Sequence, residues 1–497
     1  MHYLIGVDIG TTNIKALLFD ETGTEIAAAR AASPFSTVRT DDMVQGDQLW
    51  DLCCQLIMQI VGSQKDLGNP FICDQIAGLA VTGMGEAGVP MDQVGNCLYP
   101  VIAWFDVRTE SYPSWWNETF GEDRLFSITN LKNQHIFTVN KLLWLKNNEP
   151  EIFSKIRRWN CLPDFIVYRL TGKSAMDYSL ATRTMMLDAR TRKWSKDILH
   201  HAGIPCEILP EPVPSGERIG SVTASAAIQC GLKEGTPVFS GGHDHICGAF
   251  AAGVVSPGTV LDSSGTCEEV LVCADTIDET SKLSRKGFNA GLHVVPNRYY
   301  ISGGIPASGA SVDWFRREFN TGAGDSKLST AGARGLLFLP HLRGSSSPLR
   351  DKVSRGAFIG ICDYHQKPDF MQAVYEGVAF ELRLCVEQLL NGSRPQRVVS
   401  IGGGTMNDYW MQVKADILNS SIEIPAVKES TAFGAALLAG VGAGIFCDVQ
   451  DALARTYRVG KKIFPRLEAS ALYDRLFQDY KILYERLYSI NADLNAL

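Results

Sequence analysis

The chain has 497 residues, 45% of them hydrophobic and 20% charged, with a formal net charge of -7. That length exceeds one compact core and predicts at least two domains, while the ordinary composition excludes a chain dominated by disorder. The acidic balance excludes a general basic field for nucleic acid, so any polyanionic ligand has to be held locally, by loops and a metal ion.

The thirteen cysteines are scattered singly apart from Cys53-Cys54, with no C-x-x-C spacing. That pattern reads as reduced thiols in a cytoplasmic protein. Met1 leads almost directly into Tyr3-Leu4-Ile5-Gly6-Val7-Asp8, a core strand rather than a targeting leader.

Residues 3 to 29 read as a three-stranded meander, with turns at Gly10-Thr11-Thr12-Asn13 and at Asp20 to Gly23. The first turn follows a carboxylate, Asp8. Small residues there admit a phosphate, hydroxyl and N–H groups donate to its oxygens, and a carboxylate at the strand end can hold Mg²⁺ directly or through water. It is not a P-loop, which needs G-x-x-x-x-G-K-[ST] opening into a helix. A plain hairpin turn is the alternative. Lys15, on the second strand, is read as facing solvent, with a phosphate within its reach as the other option.

A helix is predicted from about Asp47, where Leu49, Cys53, Leu56, Ile57 and Ile60 share a face. Ile76 to Thr82 is a buried strand that empties into Gly83-Met84-Gly85-Glu86, a flexible end of the kind that lines ligand clefts in open α/β sheets. Glu86 either bonds a substrate hydroxyl or faces solvent. Trp104, Asp106 and Arg108 offer a flat stacking face with polar recognition, or Trp104 belongs to the core. Residues from about Asn117 to Leu209 read as helical and loop insertions, with Trp144 a buried helix residue.

The strand signal returns at Pro237-Val238-Phe239-Ser240, followed by Gly241-Gly242-His243-Asp244-His245 and a helix start. In phosphoryl transfer an aspartate accepts the attacking hydroxyl's proton, and Asp244 is the candidate; its alternative is a helix cap. The H-x-H spacing of His243 and His245 suits zinc only with a third ligand, and none is identifiable nearby. A domain boundary is placed near Ala252, giving domains 1–251 and 252–497.

Beyond it, Thr259-Val260-Leu261-Asp262, Ser263-Ser264-Gly265-Thr266 and Glu268 to Val272 repeat the N-terminal strand, Gly-Thr turn and strand about 255 residues later, which predicts two related lobes. A strand from Arg397 to Ile401 then meets Gly402-Gly403-Gly404 and a helix from about Asp408 through Leu418, a turn where nucleotide can lie against backbone, with Asn407 placed for base or ribose. Ala432 to Cys447 is the longest apolar stretch. It is shorter than the roughly 18 residues of a membrane span, and its Ala and Gly content predicts a closely packed interior helix.

These segments together resemble the FGGY carbohydrate kinase family. Gly356-Ala357-Phe358-Ile359-Gly360-Ile361, Asp369-Phe370 and Ala373-Val374-Tyr375-Glu376 match its C-terminal signature, and Thr138-Val139-Asn140-Lys141-Leu142-Leu143-Trp144-Leu145 its N-terminal one, with Ile136 a departure. The resemblance runs from Met1 to about residue 450. It implies an α/β protein of two ribonuclease-H-like, actin-like ATPase domains with a cleft between them, 1–251 taking the sugar and 252–497 taking most of MgATP. ATP and Mg²⁺ are the implied cofactors and a small sugar or polyol the partner; a homodimer is the implied assembly.

On the same resemblance Asp8 assists Mg²⁺, and Thr11, Thr12 and Asn13 approach the terminal phosphates. Gly265 and Thr266 contact phosphate, while Gly309, Asp313, Gly403 and Asn407 belong to the nucleotide pocket. Asp244 matches the catalytic base, and Met84, Glu86, Trp104 and His245 the substrate wall. Gly85 stands where xylulose kinases have histidine and glycerol kinases arginine, Glu86 matches the glycerol kinase glutamate, and His245 replaces an amide residue. A ketose such as xylulose or a deoxyketose such as fuculose is therefore expected as acceptor. A polyol or aldonate is the alternative, followed by an ATPase switch without sugar kinase activity, and last a binding protein that has lost catalysis.

Overall fold

The computed structural model describes residues 1–36, 43–69, 72–277, 285–320 and 330–496. Its packing divides the chain into two units, neither of them a continuous half. One comprises Met1–Gly253, Gly291–Tyr299 and Glu429–Tyr457; the other comprises Val254–Ala290, Tyr300–Lys428 and Arg458–Leu497. A single boundary near residue 252 therefore assigns two segments to the second half that fold with the first.

Among the described residues the first unit carries a six-stranded sheet. Its strands are β1 (Tyr3–Ile9), β2 (Asn13–Asp20), β3 (Glu25–Ala32), β4 (Ile76–Gly83), β5 (Arg218–Ser221) and β6 (Pro237–His243), in the order β5-β6-β4-β1-β2-β3. The meander of β1, β2 and β3 is antiparallel, and β4 runs parallel to both β1 and β6. Every residue of β1 is buried, as a strand covered on both faces requires. Side chains alternate across the sheet, so Ile5 and Val7 enter one hydrophobic core with Ile57 of the helix Gly46–Asp66 and Phe165 of the helix Leu162–Thr171, while Gly6 faces the other way.

There the helix Ser430–Gly442 lies directly on the strand. A Cβ on Gly6 would sit 1.9 Å from the carbonyl oxygen of Ala432, and one on Gly434 would sit 2.1 Å from that of Cys247. The Ala/Gly-rich stretch is thus an interior helix whose small residues allow backbone-to-backbone approach to both β1 and the helix Asp244–Ala251. No helix among the described residues is long and apolar enough to cross a membrane.

The second unit repeats the plan. The strands of the second sheet are β7 (Thr259–Ser264), β8 (Glu268–Ala274), β9 (Asn289–Leu292), β10 (Tyr299–Ile305), β11 (Arg397–Ile401), β12 (Ile422–Pro425) and β13 (Val459–Ile463), in the order β9-β10-β8-β7-β11-β12-β13. β7 is antiparallel to β8 and parallel to β11, which is parallel to β12, just as β1 stands to β2, β4 and β6. The helices Lys367–Leu389, Asp408–Leu418 and Leu467–Asn495 supply its core, including Val374, Phe380, Trp410 and Phe477. Two sheets of common order are the related lobes that the repeated Gly-Thr hairpins predicted, and they have the ribonuclease-H-like, actin-like ATPase plan that the family resemblance implied.

Candidate active site

In the first unit three parallel strands end side by side. Asp8 of β1 and Gly242 of β6 both pair with Thr82 of the strand between them, and the Thr82 hydroxyl donates to the Gly242 carbonyl at 2.7 Å. Asp8, Gly83 and His243-Asp244 therefore leave from the carboxyl edge, where open α/β sheets bind ligands.

Asp8 is buried, and its Oδ1 has no hydrogen-bond partner. Burial, then the charge of Asp244, pushes its carboxyl up to about 7. Lys15, opposite Asp8 on β2, is committed elsewhere: its Nζ lies 2.5 Å from Glu429 Oε2, so it is neither solvent-facing nor free for a phosphate. The turn between β1 and β2 is closed by Gly10 N–H donating to the Asn13 carbonyl at 3.1 Å, which leaves Thr12 exposed and Thr11 and Asn13 half-exposed.

Asp244 is the first residue of its helix, and that helix has no side-chain cap; Oδ1 instead accepts the His245 N–H at 2.7 Å, so the capping role does not hold. Two imidazoles bracket the carboxylate. His243 Nε2 is 3.4 Å and His245 Nε2 3.9 Å from Oδ1, and the rings stack with centroids 5.4 Å apart. Burial raises the pKa of Asp244, with His245 opposing and Glu86 adding to the rise. Burial also drives His243 well below the usual imidazole range, with Arg183 and His245 contributing, so His243 is neutral. A Cβ on Gly85 would meet the His243 ring at 2.7 Å; a side chain at 85 and this imidazole exclude one another.

The strand end after Gly83 is anchored rather than flexible. Met84 and Glu86 are buried, Met84 N–H donates to Ile9 at 3.0 Å, and Glu86 adopts a left-handed φ of 65°. Arg183 Nε donates to Glu86 Oε1 at 2.6 Å, and the Thr138 hydroxyl donates to the Glu86 carbonyl at 2.8 Å. Glu86 thus does not face solvent, and Thr138 of the N-terminal signature supports it. Lys141 of the same signature is also interior; it donates to the Ile136 carbonyl, and burial pulls its pKa down to about 8.

Trp104 is not a core residue: it is 38% exposed, and its Nε1–H donates to Thr11 Oγ1 at 3.1 Å, joining it to the turn between β1 and β2. Asp106 and Arg108 pair with each other at 2.9 Å, and the Arg108 guanidinium lies 4.7 Å over the Trp144 ring, which is half-buried.

In the second unit the predicted nucleotide residues converge. Gly309 N–H donates to the Gly265 carbonyl at 3.0 Å and Ala310 N–H to the Thr266 carbonyl at 3.1 Å, so the helix Gly309–Glu318 starts against the exposed Gly265-Thr266 turn. The glycine triplet lies beside the same turn: a Cβ on Gly402 would sit 2.5 Å from the Ser264 carbonyl oxygen, whereas Gly403 faces open space. Asn407 spends its side chain on structure, accepting from Trp410 N–H at 3.1 Å and donating to Tyr375 Oη at 2.9 Å. Asp313 is exposed one turn into its helix.

Sequence reasoning missed Arg183, the partner of Glu86, and Lys414, which lies fully buried beneath the second unit's turns. A lone arginine between Thr182 and Thr184 was the available signal for the first; Lys414 carried none, since its helix reads as ordinary.

Comparison with known proteins supplies the family. The N-terminal domain of the FGGY family of carbohydrate kinases matches residues 3–251 and its C-terminal domain residues 262–443. The xylulose kinase of Bacillus subtilis (strain 168) is 32% identical over 503 residues, covering 100% of this chain and 99% of its own length. The L-fuculokinase of Escherichia coli (strain K12) is 29% identical over 478 residues, covering 94% and 98%. The crystal structure of xylulose kinase from Rhodospirillum rubrum superposes with a TM-score of 0.88 at 28% identity, covering 99% of this chain and 100% of that one. The chain belongs to the FGGY family of carbohydrate kinases. It is an ATP-dependent sugar kinase, which sets aside the ATPase switch and the inactive binding protein.

Proposed function

We propose that this chain transfers the terminal phosphate of ATP to a hydroxyl of a small ketose, with xylulose the first candidate, and that Asp244 accepts the hydroxyl proton. The observation that carries the reading is the pairing of a half-open carboxylate, Asp244, with a buried one, Asp8, at the carboxyl edge of three adjacent parallel strands. As the acceptor oxygen bonds to phosphorus and the bond to the bridging oxygen of ADP breaks, the proton passes to the Asp244 carboxylate.

Asp8 suits Mg²⁺, because a buried carboxylate oxygen without a partner is the hard donor that ion takes. When bound, the ion would supply neutralisation of phosphate charge. Thr11, Thr12 and Asn13 would approach the terminal phosphates, and Gly265, Thr266, Gly309, Asp313 and Gly403 would face the rest of the nucleotide. Asn407 would border that pocket by backbone, its side chain being engaged.

Met84, Glu86, Trp104 and His245 would form the sugar wall. A neutral acceptor is favoured over an aldonate, because Arg183, whose charge acts on Asp244 beside that of His245, is already paired with Glu86, and the Lys141 ammonium is spent on a carbonyl. Xylulose kinases carry histidine at the Gly85 position, and here the His243 imidazole takes that space. A cytoplasmic homodimer completes the reading, the scattered cysteine spacing suiting a reducing compartment. The test is an ADP-coupled assay across ketopentoses, deoxyketohexoses, aldonates and polyols; a kcat/KM for an aldonate or polyol above that for every ketose would reject the ketose assignment.

A further inference from the structure

Beneath the second unit's turns lies a closed ionic network. Lys414 Nζ donates to Asp262 Oδ2 at 2.9 Å, to Glu268 Oε2 at 2.8 Å and to Ser264 Oγ at 3.1 Å, with all three charged side chains fully buried. Ser308 donates to Glu268 Oε2 at 2.7 Å, and Ser400 donates to Asp262 Oδ2 at 2.8 Å. Each turn has a tie to this centre. Ser264 precedes Gly265-Thr266, Ser308 precedes Gly309, Ser400 lies two residues before Gly402, and Lys414 belongs to the helix Asp408–Leu418 that follows the glycine triplet.

Burying three charges costs more than an apolar residue of the same volume would, so the network is poor economy as mere filling. It offers geometry instead: the ammonium ties the end of β7 to the start of β8, and its two carboxylates hold β11 through Ser400 and the residue before the helix Gly309–Glu318 through Ser308. Its charge is also unbalanced, with one cation against two carboxylates. Glu268 Oε1 is buried without a partner, which suits an un-ionised carboxyl better than a carboxylate.

We propose that Lys414, Asp262 and Glu268 form a positioning network that sets the spacing of the Gly265-Thr266, Ser308-Gly309 and Gly402-Gly404 turns, and that nucleotide binding is coupled to protonation of Glu268. This rests on the reading that the second unit holds the nucleotide. The titratable and charged groups around Glu268 are Asp262 from β7, Lys414 from the helix Asp408–Leu418 and the Cys385 thiol from the helix Lys367–Leu389. Burial, then Asp262, pushes the Glu268 carboxyl up to about 7, with Lys414 opposing. Below that pH the network is neutral. Above it the floor carries one negative charge, which an arriving polyphosphate disfavours, so nucleotide binding draws in a proton.

The experiment measures ADP binding by titration calorimetry between about pH 6 and pH 8 in buffers of different ionisation enthalpy, with ATP KM and kcat measured alongside. Wild type is expected to take up protons on binding and to lose about five-fold more affinity across that range than Glu268→Gln, the nucleotide's own titration being common to both. Lys414→Met is expected to raise the KM for ATP about ten-fold with the sugar KM unchanged. Since it leaves two carboxylates facing each other, Lys414→Met with Glu268→Gln repeats the measurement with a single carboxylate, that of Asp262, remaining. Equal pH slopes and equal proton uptake in wild type and Glu268→Gln, or a wild-type ATP KM in the folded double variant, would overturn the proposal. Thr266→Ala and Gly403→Val separate the two levels. If they also leave ATP binding untouched, the nucleotide is not held by the second unit; if they weaken it while the network variants do not, the network alone is rejected.

Discussion

The carboxylate of Asp244 raises the pKa of Asp8 across the end of a single intervening strand. The two residues are far apart in the chain, yet the register of β1 and β6 on Thr82 sets them in one field. That proximity makes Asp244 testable as the base.

Asp244→Asn keeps the shape of the side chain and its hydrogen bond from His245 N–H, while removing the proton acceptor. A kcat loss on the order of 10² to 10⁴ is expected, with binding of sugar and MgATP retained. The ADP-coupled assay with binding isotherms checks it, and unchanged turnover would eliminate Asp244 as base.

Glu86 and Arg183 form a buried pair, so removing one partner strands the other's charge. Arg183→Met is expected to destabilise the protein by about 3 to 5 kcal/mol. Arg183→Met with Glu86→Gln should recover most of that in chemical denaturation, yet keep a raised KM for the sugar. Recovery of both stability and sugar KM would mean that the pair serves packing alone.

Trp104→Phe preserves an aromatic face and removes the hydrogen bond to Thr11. Loss of roughly 1 kcal/mol predicts about a five-fold fall in kcat/KM, with the sugar KM less affected than in Trp104→Ala. Steady-state kinetics on both variants would show equal effects if the hydrogen bond alone mattered, and no effect of Trp104→Phe if the ring alone mattered.

Glu376, from the C-terminal signature, is buried with Oε1 accepting from Tyr473, Gln372 and Gly332 N–H, and burial pushes its carboxyl from an ordinary 4.5 up to about 7. The folded state therefore holds a proton that the unfolded state has released between these values. Stability falls as pH rises through that window, by about 3 kcal/mol in all once pH exceeds 7. Glu376→Gln should abolish this component, measured by denaturant unfolding from acid to neutral pH. The same slope in the variant would place the effect elsewhere.

Both FGGY signatures turn out to be supports. Thr138 holds Glu86, and Tyr375 receives Asn407 and Arg316, so their motif character reflects what stands behind the site. The role given to Asn407 from sequence ran ahead of its geometry, because a residue that begins a helix after a glycine turn satisfies backbone N–H groups first.

The sequence by itself determined the elements and the repeat: apolar runs ending in Asp8 and in Ser264, turns of Gly and Thr, and the amphipathic helices after them. Those are local, since propensity and periodicity act over a few residues. Tertiary structure alone decided that Glu429–Tyr457 folds with the first unit, that Glu86 is locked by Arg183, that the His243 ring fills the space beside Gly85, and that Lys414 sits among two carboxylates. Partners distant in the chain are chosen by strand register and by how closely backbones approach, and neither quantity is written in any single stretch of residues.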